Sequence, residues 1–199
     1  MSLAKYQRKR DFAVTPEPKG VVKRRKPRAL SYVIQKHAAT RLHYDFRLEV
    51  DGVLKSWAVP KGIPTKKGGK SLAMHVEDHP LEYGGFEGTI PEGNYGAGTV
   101  MLWDRGAYEP LGGEPADDLA KGKLHFRLQG KKLKGEWTLV RMRGGAGKEP
   151  WLLIKSGADV KPISRRRDDE SVLSGKTMKQ IAVGSSRVWQ SSRVRQIRN

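Results

Sequence analysis

Apolar and polar positions alternate along most of the chain, and this pattern predicts strands rather than helices. In the segment 42–50, LHYDFRLEV, apolar side chains occupy every second position, and successive side chains of a strand point to opposite faces of a sheet. The pair Asp51-Gly52 follows, which is typical of a two-residue hairpin turn. The segment 53–59, VLKSWAV, is therefore the predicted return strand.

The same pattern recurs in shorter segments. Further strands are predicted at residues 32–35, 72–77, 99–103, 124–128, 135–141 and 151–155. Helices are predicted only at 116–121 and 171–183, the second with Thr177 and Gln180 spaced as a capping box. Many short strands with turn residues between them predict a mainly β fold, an antiparallel barrel or sandwich with short flanking helices.

Charge divides the chain into three parts. The net charge is +18, yet residues 31–160 hold nineteen basic and sixteen acidic side chains, so most of the excess lies in the flanks. We predict a basic N-terminal arm at 1–30 without helical or strand period, which folds back on the body, a domain at 31–160, and a basic linker or tail at 161–199. Basic, flexible termini attract polyanions through counterion release, which favours nucleic acid as the partner.

Composition also excludes several classes of protein. There is no cysteine, hence no disulfide framework and no thiolate zinc site. The first residues lack the apolar core of a signal peptide, and no apolar run approaches the length of a membrane span. We therefore expect a soluble, cytoplasmic protein with no membrane partner.

Candidate metal and phosphate ligands lie on one face of the segment 42–50. The strand period places His43, Asp45 and Arg47 on the same face, opposite the apolar side chains. His37 reaches the same place if the chain bends at residues 38–40. An imidazole, a carboxylate and a guanidinium side by side are typical of a metal-assisted phosphoester site rather than a core.

A second segment, LAMHVEDHP at 72–80, repeats the arrangement. As a strand it places His75, Glu77 and His79 on one face, with the apolar side chains on the other. With His37, these two segments account for four of the five histidines of the chain. The glycine-rich segment 86–98 runs into a strand rather than a helix, so it is not a nucleotide-binding fingerprint. It predicts a structured loop at the rim of a barrel.

The ligand types by themselves leave two kinds of metal site open. His43 and Asp45 with His79 match the two-histidine, one-carboxylate site of non-haem iron oxygenases. The neighbouring cationic and hydrogen-bonding groups, among them Arg47 and Tyr83, suit a phosphate better than dioxygen, because the planar guanidinium binds phosphate oxygens in pairs.

Five segments together carry a family resemblance. They are IQKH at 34–37, LHYDFRLE at 42–49, LKSWAVPKG at 54–62, HVEDHP at 75–80 and the glycine-rich segment 86–98. With these motifs the chain resembles the 3′-phosphoesterase module of bacterial ATP-dependent DNA ligase D over about residues 8–157. The family fold is a compact β-barrel, which agrees with the strand pattern.

The resemblance implies an activity that heals DNA 3′ ends in double-strand break repair by non-homologous end joining. It removes 3′-terminal ribonucleotides as a phosphodiesterase and 3′-phosphates as a phosphomonoesterase, and leaves a 3′-hydroxyl. The implied partners are DNA or DNA/RNA 3′ ends, Ku, and the ligase and polymerase domains of ligase D, in a nucleoid-associated protein of the cytoplasm.

The resemblance also implies a set of site residues. A metal ion, Mn²⁺ or another divalent cation, is held in the family by the positions of His37, His43 and Asp45. The phosphate is engaged by the positions of Arg47, His79 and Tyr83. Further functional positions correspond to Arg10, Asp11, Glu17 and Glu77, so the arm contributes to the site.

One position departs from the family. An arginine often precedes the Leu-Ala of the His75 strand as a phosphate contact, and here Ser71 stands in that place. We consider Lys70, beside it, as a substitute phosphate ligand, together with Lys66 and Lys67. The departure leaves a second hypothesis open, a non-catalytic module that binds or tethers DNA. The chain is too short for ligase and polymerase domains, so it represents a stand-alone member or an excised module.

Overall fold

A computed structural model describes residues 3–22, 29–144 and 149–188, the last four of them by their backbone only. The prediction of flexible basic termini falls in part on residues 1–2, 23–28 and 189–199, which lie outside the described residues. No helix in the described ranges is long and apolar enough to cross a membrane.

In the described part of the chain, ten antiparallel strands make up one sheet. They are β1 (Leu30–Ala38), β2 (Leu42–Val50), β3 (Val53–Val59), β4 (Lys70–His75), β5 (His79–Pro80), β6 (Gly88–Ile90), β7 (Gly98–Pro110), β8 (Lys123–Gly130), β9 (Lys134–Arg141) and β10 (Pro150–Lys155). The order β1-β2-β3-β4-β10-β9-β8-β7 closes because β7 also pairs with β1. The result is a closed eight-stranded barrel, so the predicted mainly β, antiparallel barrel fold is confirmed. The short strands β5 and β6 pair outside this ring, with β3 and β7.

The β2–β3 hairpin follows the sequence pattern closely. Asp51 and Gly52 have φ angles of 49° and 79°, as a turn of the type I′ kind requires at both central residues. The turn sets the register, in which Arg47 lies opposite Ser56. On the inner face of β2, Phe46 and Leu48 are completely buried. The outer face is therefore free to carry the polar side chains.

The barrel interior is filled mainly by aromatic and branched side chains. The largest buried groups there include Trp57, Trp137, Phe46 and Phe126, and the rings of Phe46 and Phe126 stack with centroids 5.7 Å apart. Close packing of such rings fixes the strands relative to one another. The barrel thus provides a rigid wall for the groups on its outside.

Strand β4 faces the opposite way from the prediction. The alternation predicts that Leu72 lies on the apolar face, but it is 42% exposed, whereas Ser71 and Ala73 are buried. Ala73 lies directly across from Trp151 in the register with β10, so the bulk of that indole favours a small neighbour. The strand also ends at His75, and residues 76–78 are irregular. The prediction that His75 and His79 share one strand face is therefore wrong.

The N-terminal segment contains a helix that the sequence pattern did not predict. Helix α1 spans Ala4–Arg8, and its Tyr6 is completely buried. The Tyr6 hydroxyl donates to the carbonyl of Pro18 at 2.6 Å. Gly20 has φ +60°, and a Cβ at this position would lie 2.0 Å from Pro80. The segment is thus folded back against β5, and its contacts are set by packing rather than by helix propensity.

Among the residues that the structure describes, three further α-helices flank the barrel. They are α2 (Pro115–Lys121), α3 (Arg165–Asp168) and α4 (Met178–Val188); α2 agrees with the prediction. The capping box before α4 is confirmed, because the Thr177 amide donates to the Gln180 side chain and the Gln180 amide donates to the Thr177 hydroxyl. The helix begins at this cap and not at Ser171, which is buried and donates to Glu87 instead. A 3-10 helix, Leu81–Gly85, follows β5.

Candidate active site

A cluster of two imidazoles and one carboxylate lies on the outer face of the β1–β2 hairpin. The register places His37 directly opposite His43 and Gln35 opposite Asp45. His37 Nδ1 lies 3.6 Å from one Asp45 oxygen and His43 Nε2 lies 3.7 Å from the other. One ligand atom from each residue falls within 4.8 Å of the others. The pairing of β1 with β2 thus brings His37 to the same face as His43 and Asp45, whose common face the strand period predicted.

The nitrogen and oxygen donors of this cluster fit a divalent metal ion. The Nδ1 of His43 lies 2.9 Å from the carbonyl of Arg41, and a proton donated there leaves the Nε2 lone pair directed towards Asp45. His37 Nε2 is buried without a hydrogen-bond partner among the described residues. Burial by itself would raise the pKa of Asp45, but Arg47 and the two imidazoles outweigh it and hold that pKa well below its usual value. The carboxylate is therefore ionised and ready to coordinate a cation.

Arg47 connects this cluster to a second group of polar residues. Its Nη2 lies 3.2 Å from Asp45 Oδ2, and its Nε donates to Gln35 at 2.8 Å. Its Nη1 donates to the Ser56 hydroxyl at 2.7 Å and lies 3.0 Å from His79 Nδ1. The side chain is 2% exposed. Because its planar fork is held on three sides, the guanidinium has a fixed orientation.

His79 lies between two guanidinium groups. On one side is Arg47, and on the other Nη2 of Arg10 lies 3.4 Å from His79 Nε2. Burial lowers the pKa of His79 well below 6.5, and the charges of Arg47 and Arg10 lower it further. The imidazole is therefore neutral at neutral pH, although its Nδ1 also lies 2.9 Å from the carbonyl of Glu77.

Arg10 reaches the site from the N-terminal segment. Its Nε donates to Glu17 at 2.9 Å and its Nη1 lies 3.4 Å from a Glu77 oxygen. The guanidinium also lies over the Tyr6 ring, 3.8 Å from the centroid. Glu17 is buried and accepts a second hydrogen bond from Thr15 at 2.9 Å. Two carboxylates thus compensate the charge of Arg10 and fix its position beside His79.

Tyr83 closes one side of this group. It is 3% exposed, its ring centroid lies 4.7 Å from that of His79, and the Arg47 guanidinium lies 4.9 Å from its centroid. Burial raises the pKa of Tyr83 well above its ordinary value, and the charge of Glu17 adds to the shift. The phenol therefore keeps its proton and remains a hydrogen-bond donor.

The group of residues that could hold a cation therefore lies next to the positive charges of Arg47 and Arg10. Asp45 contacts one terminal nitrogen of the Arg47 guanidinium and His79 contacts the other, with Arg10 on the far side of the His79 ring. Such an arrangement suits a metal-assisted reaction at a phosphate, in which an anion lies between the cation and the guanidinium groups.

Comparison with known protein families assigns the barrel domain to a family. Residues 35–141 match the family described as the DNA ligase D 3′-phosphoesterase domain, over more than half of the chain. The chain belongs to this family. The matched range begins at Gln35, within β1, and ends with β9. It includes His37, His43 and Asp45, the proposed metal-ligand cluster, whereas Arg10 and Glu17 lie before it.

Two proteins similar to this chain are named as LigD proteins. The chain is 50% identical over 186 residues to the multifunctional non-homologous end joining protein LigD of Pseudomonas aeruginosa, which covers 88% of the chain and 22% of that protein. It is 48% identical over 161 residues to the multifunctional non-homologous end joining DNA repair protein LigD of Mycobacterium tuberculosis, covering 80% of the chain and 20% of that protein. The chain therefore spans about a fifth of the length of these relatives.

Some residues that the sequence analysis considered for the site of the phosphoesterase domain do not lie beside Asp45, Arg47 and His79. Asp11 is exposed, and its side chain accepts from the amide of Ala13 at 3.0 Å in a local turn. Lys70 begins β4 and pairs with Ile154 on the β10 side, away from β2. Ser71 faces the barrel interior, so the position of the missing arginine is not on the outer face of the sheet. His75 contacts Glu149 at 2.7 Å instead of the site.

Two polar residues of the site were missed in the sequence. Gln35 is completely buried and donates to the carbonyls of Tyr83 and Phe86 at 3.1 and 3.0 Å while it accepts from Arg47. Ser56 is also completely buried. The sequence contains a clue to each position. Gln35 is two residues before His37 on the same strand face, and the Asp51-Gly52 turn places Ser56 opposite Arg47. Their role is to hold Arg47, which pattern reading by itself does not reveal.

Proposed function

We propose that this chain is a metal-dependent phosphoesterase that heals DNA 3′ ends. It would remove 3′-terminal ribonucleotides and 3′-phosphates and leave a 3′-hydroxyl. The observation that carries the proposal is the Asp45–Arg47–His79 series, in which a metal-ligand carboxylate and a phosphate-binding imidazole share one guanidinium. The two guanidinium groups around His79 favour a phosphate substrate over an iron oxygenase site.

His37, His43 and Asp45 would hold the metal ion, with Mn²⁺ as the proposed cofactor and other divalent cations as substitutes. A divalent metal bound there would polarise a phosphoryl oxygen and lower the pKa of a coordinated water molecule. Neutral imidazoles are required as ligands, and the ionised Asp45 supplies the negative charge. The hydrogen bond from His43 to Arg41 keeps the ligating nitrogen in its orientation.

Arg47 and Arg10 would bind the phosphate and neutralise the charge that develops on its oxygens. Both are fixed by buried partners before substrate arrives, so little reorganisation is needed in the transition state. Tyr83 would donate its phenolic proton to a phosphate oxygen. Glu17 and Glu77 would act through Arg10 as positioning residues, because both contact its guanidinium.

His79 would change its protonation when substrate binds. The free imidazole is neutral because of burial and the two neighbouring guanidinium groups. A phosphate with one or two negative charges between these groups offsets their effect and raises the pKa of His79. The protonated ring can then stabilise the phosphate or donate a proton to the leaving oxygen.

A role in non-homologous end joining is supported by the names of the relatives, which describe multifunctional end-joining proteins. We propose DNA and DNA/RNA 3′ ends as substrates, and Ku and the ligase and polymerase domains of ligase D as partners. The net charge of +18 supports binding to DNA. These partners imply a cytoplasmic, nucleoid-associated protein.

The proposal is tested with a primer–template duplex whose primer ends in a 3′-phosphate or in a single ribonucleotide. We expect conversion to a 3′-hydroxyl end with Mn²⁺ and none with a chelator. His43→Ala should abolish the conversion, whereas His75→Ala, outside the site, should retain it. Absence of metal-dependent conversion by the wild-type protein would refute the proposed activity, and full activity of His43→Ala would refute the assigned ligands.

A further inference from the structure

An exposed aromatic ring lies at the rim of the candidate active site and has no role in the chemistry described above. Tyr95 belongs to the glycine-rich loop between β6 and β7 and is 47% exposed. Large aromatic side chains usually bury most of their surface. A half-exposed tyrosine beside a cluster of charged residues therefore needs an explanation.

The loop that carries Tyr95 passes beside the cluster of His37, His43 and Asp45. Gly93 and Gly96 have φ angles of +83° and +77°, which glycine adopts without steric cost. A Cβ built on Gly96 would lie 4.0 Å from Cε1 of His37, so the residue after Tyr95 runs along the edge of that imidazole. A Cβ at this distance would make an ordinary van der Waals contact with the ring, so the loop backbone passes directly beside His37.

Contacts from the N-terminal segment fix the ring on its other side. Lys9 donates to the Tyr95 hydroxyl at 2.8 Å, and its ammonium lies 4.0 Å from the ring centroid. Lys9 is held in turn by Glu77 at 3.1 Å. The Arg10 guanidinium lies 5.5 Å from the same centroid. The Tyr95 ring thus lies beside Arg10, and the next residue, Gly96, lies beside His37.

We propose that Tyr95 binds the base of the 3′-terminal nucleotide by stacking, and so orients the 3′ end towards the metal-ligand cluster. This inference rests on the proposed function, since it assigns part of the substrate of the same site. Lys9 covers part of the ring while about half of the side chain remains open to solvent. An aromatic ring between basic groups is typical of surfaces that bind single-stranded nucleic acid, because every base has a face that can stack.

Stacking on Tyr95 would explain how a site with few base-specific groups recognises a nucleic-acid end. The groups around Arg47 and His79 can bind any phosphate monoester. Stacking of the terminal base on the Tyr95 ring would add affinity for a nucleotide but little preference among the bases. The site would therefore accept DNA ends of any sequence and discriminate against small phosphate esters.

The test measures binding without turnover, by fluorescence anisotropy in the presence of a chelator. Two duplexes with an unpaired 3′-terminal residue and a 3′-phosphate are compared, one with a base at that residue and one with an abasic tetrahydrofuran. For the wild-type protein we expect the dissociation constant to be about tenfold to a hundredfold higher for the abasic duplex. Tyr95→Leu should bind both duplexes equally, at the level of wild type with the abasic one.

Tyr95→Phe is the matched control, since it keeps the ring and loses the hydroxyl contact with Lys9. It should retain the discrimination. Equal binding of both duplexes by the wild-type protein, discrimination that survives in Tyr95→Leu, or its loss in Tyr95→Phe would each overturn the inference. Turnover with Mn²⁺ is measured separately, so a chain that discriminates the duplexes without cleaving them would refute the proposed function and leave the stacking inference standing.

Discussion

The Arg47 guanidinium lies 3.2 Å from the Asp45 carboxylate, and both side chains are buried on the outer face of the barrel wall. They are two residues apart on β2 and therefore point the same way. The contact holds the carboxylate in its ionised form. It also joins the metal-ligand cluster to His79, because the other end of the same guanidinium contacts that imidazole.

Replacing Arg47 by an apolar side chain should destabilise the fold. In Arg47→Met the buried Asp45 loses its cation, and Gln35 and Ser56 lose their hydrogen-bond partner. Removing one member of a buried ion pair typically costs about 3–5 kcal/mol. We expect a loss of this size in the free energy of unfolding, measured by urea denaturation in the presence of a chelator.

The control for this experiment is Arg127→Met. Arg127 forms ion pairs with Glu109 and Glu136 on the surface, where solvent screens the charges. Arg127→Met should therefore lower the free energy of unfolding much less than Arg47→Met does. Equal urea midpoints for wild type and Arg47→Met would contradict the inferred importance of the buried pair.

Loss of one imidazole should weaken metal binding. His43→Ala removes a proposed ligand whose ring contacts the Arg41 carbonyl, and loss of groups that merely orient metal ligands already costs about 10- to 100-fold in affinity. We expect the Mn²⁺ dissociation constant, measured by titration calorimetry, to increase by about 100-fold or more. His75→Ala removes an imidazole that contacts Glu149, and it should leave Mn²⁺ binding unchanged. Identical behaviour of the two variants would place the metal elsewhere.

Arg10 should affect turnover more than general affinity for DNA. In Arg10→Gln the guanidinium beside His79 is lost, and loss of one preorganised donor to a developing charge lowers kcat about 100-fold or more. Arg8→Gln changes an exposed residue of α1, so only salt-sensitive binding to DNA should weaken. The measurement is kcat and KM at two salt concentrations. A change confined to KM in Arg10→Gln would assign this residue to the general electrostatics of the arm.

The pKa of His79 predicts how stability depends on pH. The folded-state pKa lies well below 6.5, so below about pH 6.5 the unfolded chain binds a proton that the folded chain does not. Stability therefore falls as the pH decreases from 7, by up to about 1.4 kcal/mol per pH unit from this group. Asp45 acts in another range, because its pKa is lowered from 3.8 and its stabilisation is lost only at more acidic pH.

His79→Asn should remove this dependence. Urea denaturation between pH 4.5 and 7.5, in a chelator, should give a shallower slope for the variant than for the wild-type protein. Parallel curves would mean that His79 is not held neutral in the folded state.

The C-terminal segment should contribute to stability through Asp168. Its carboxylate accepts from the mostly buried Lys36 at 3.1 Å and from the Trp103 indole at 3.1 Å. A double-mutant cycle with Lys36→Met and Asp168→Ala should give a coupling energy of about 1 kcal/mol, because Asp168 is partly exposed to solvent. The exposed pair Arg166 and Glu170 offers a comparison cycle, in which we expect much weaker coupling. No coupling between Lys36 and Asp168 would mean that the contact does not hold the segment to the barrel.

The sequence by itself determined those features that depend on local geometry. Because side chains alternate along a strand, the order His43, Asp45, Arg47 was enough to put three chemical groups on one face. The Asp51-Gly52 pair set the turn and therefore the register of the hairpin. Thr177 and Gln180 set the beginning of α4 in the same local way.

Only the tertiary structure decided which groups from distant segments lie beside His43, Asp45 and Arg47. The face that β4 turns to the core depends on the volume of Trp151 on the neighbouring strand β10, and no pattern within β4 contains that information. His79 reaches Arg47 because residues 76–78 leave the strand path, and Arg10 reaches His79 because Tyr6 packs into a pocket formed by other elements. Such contacts depend on packing between residues far apart in the chain, so the spacing of residues along the sequence cannot specify them.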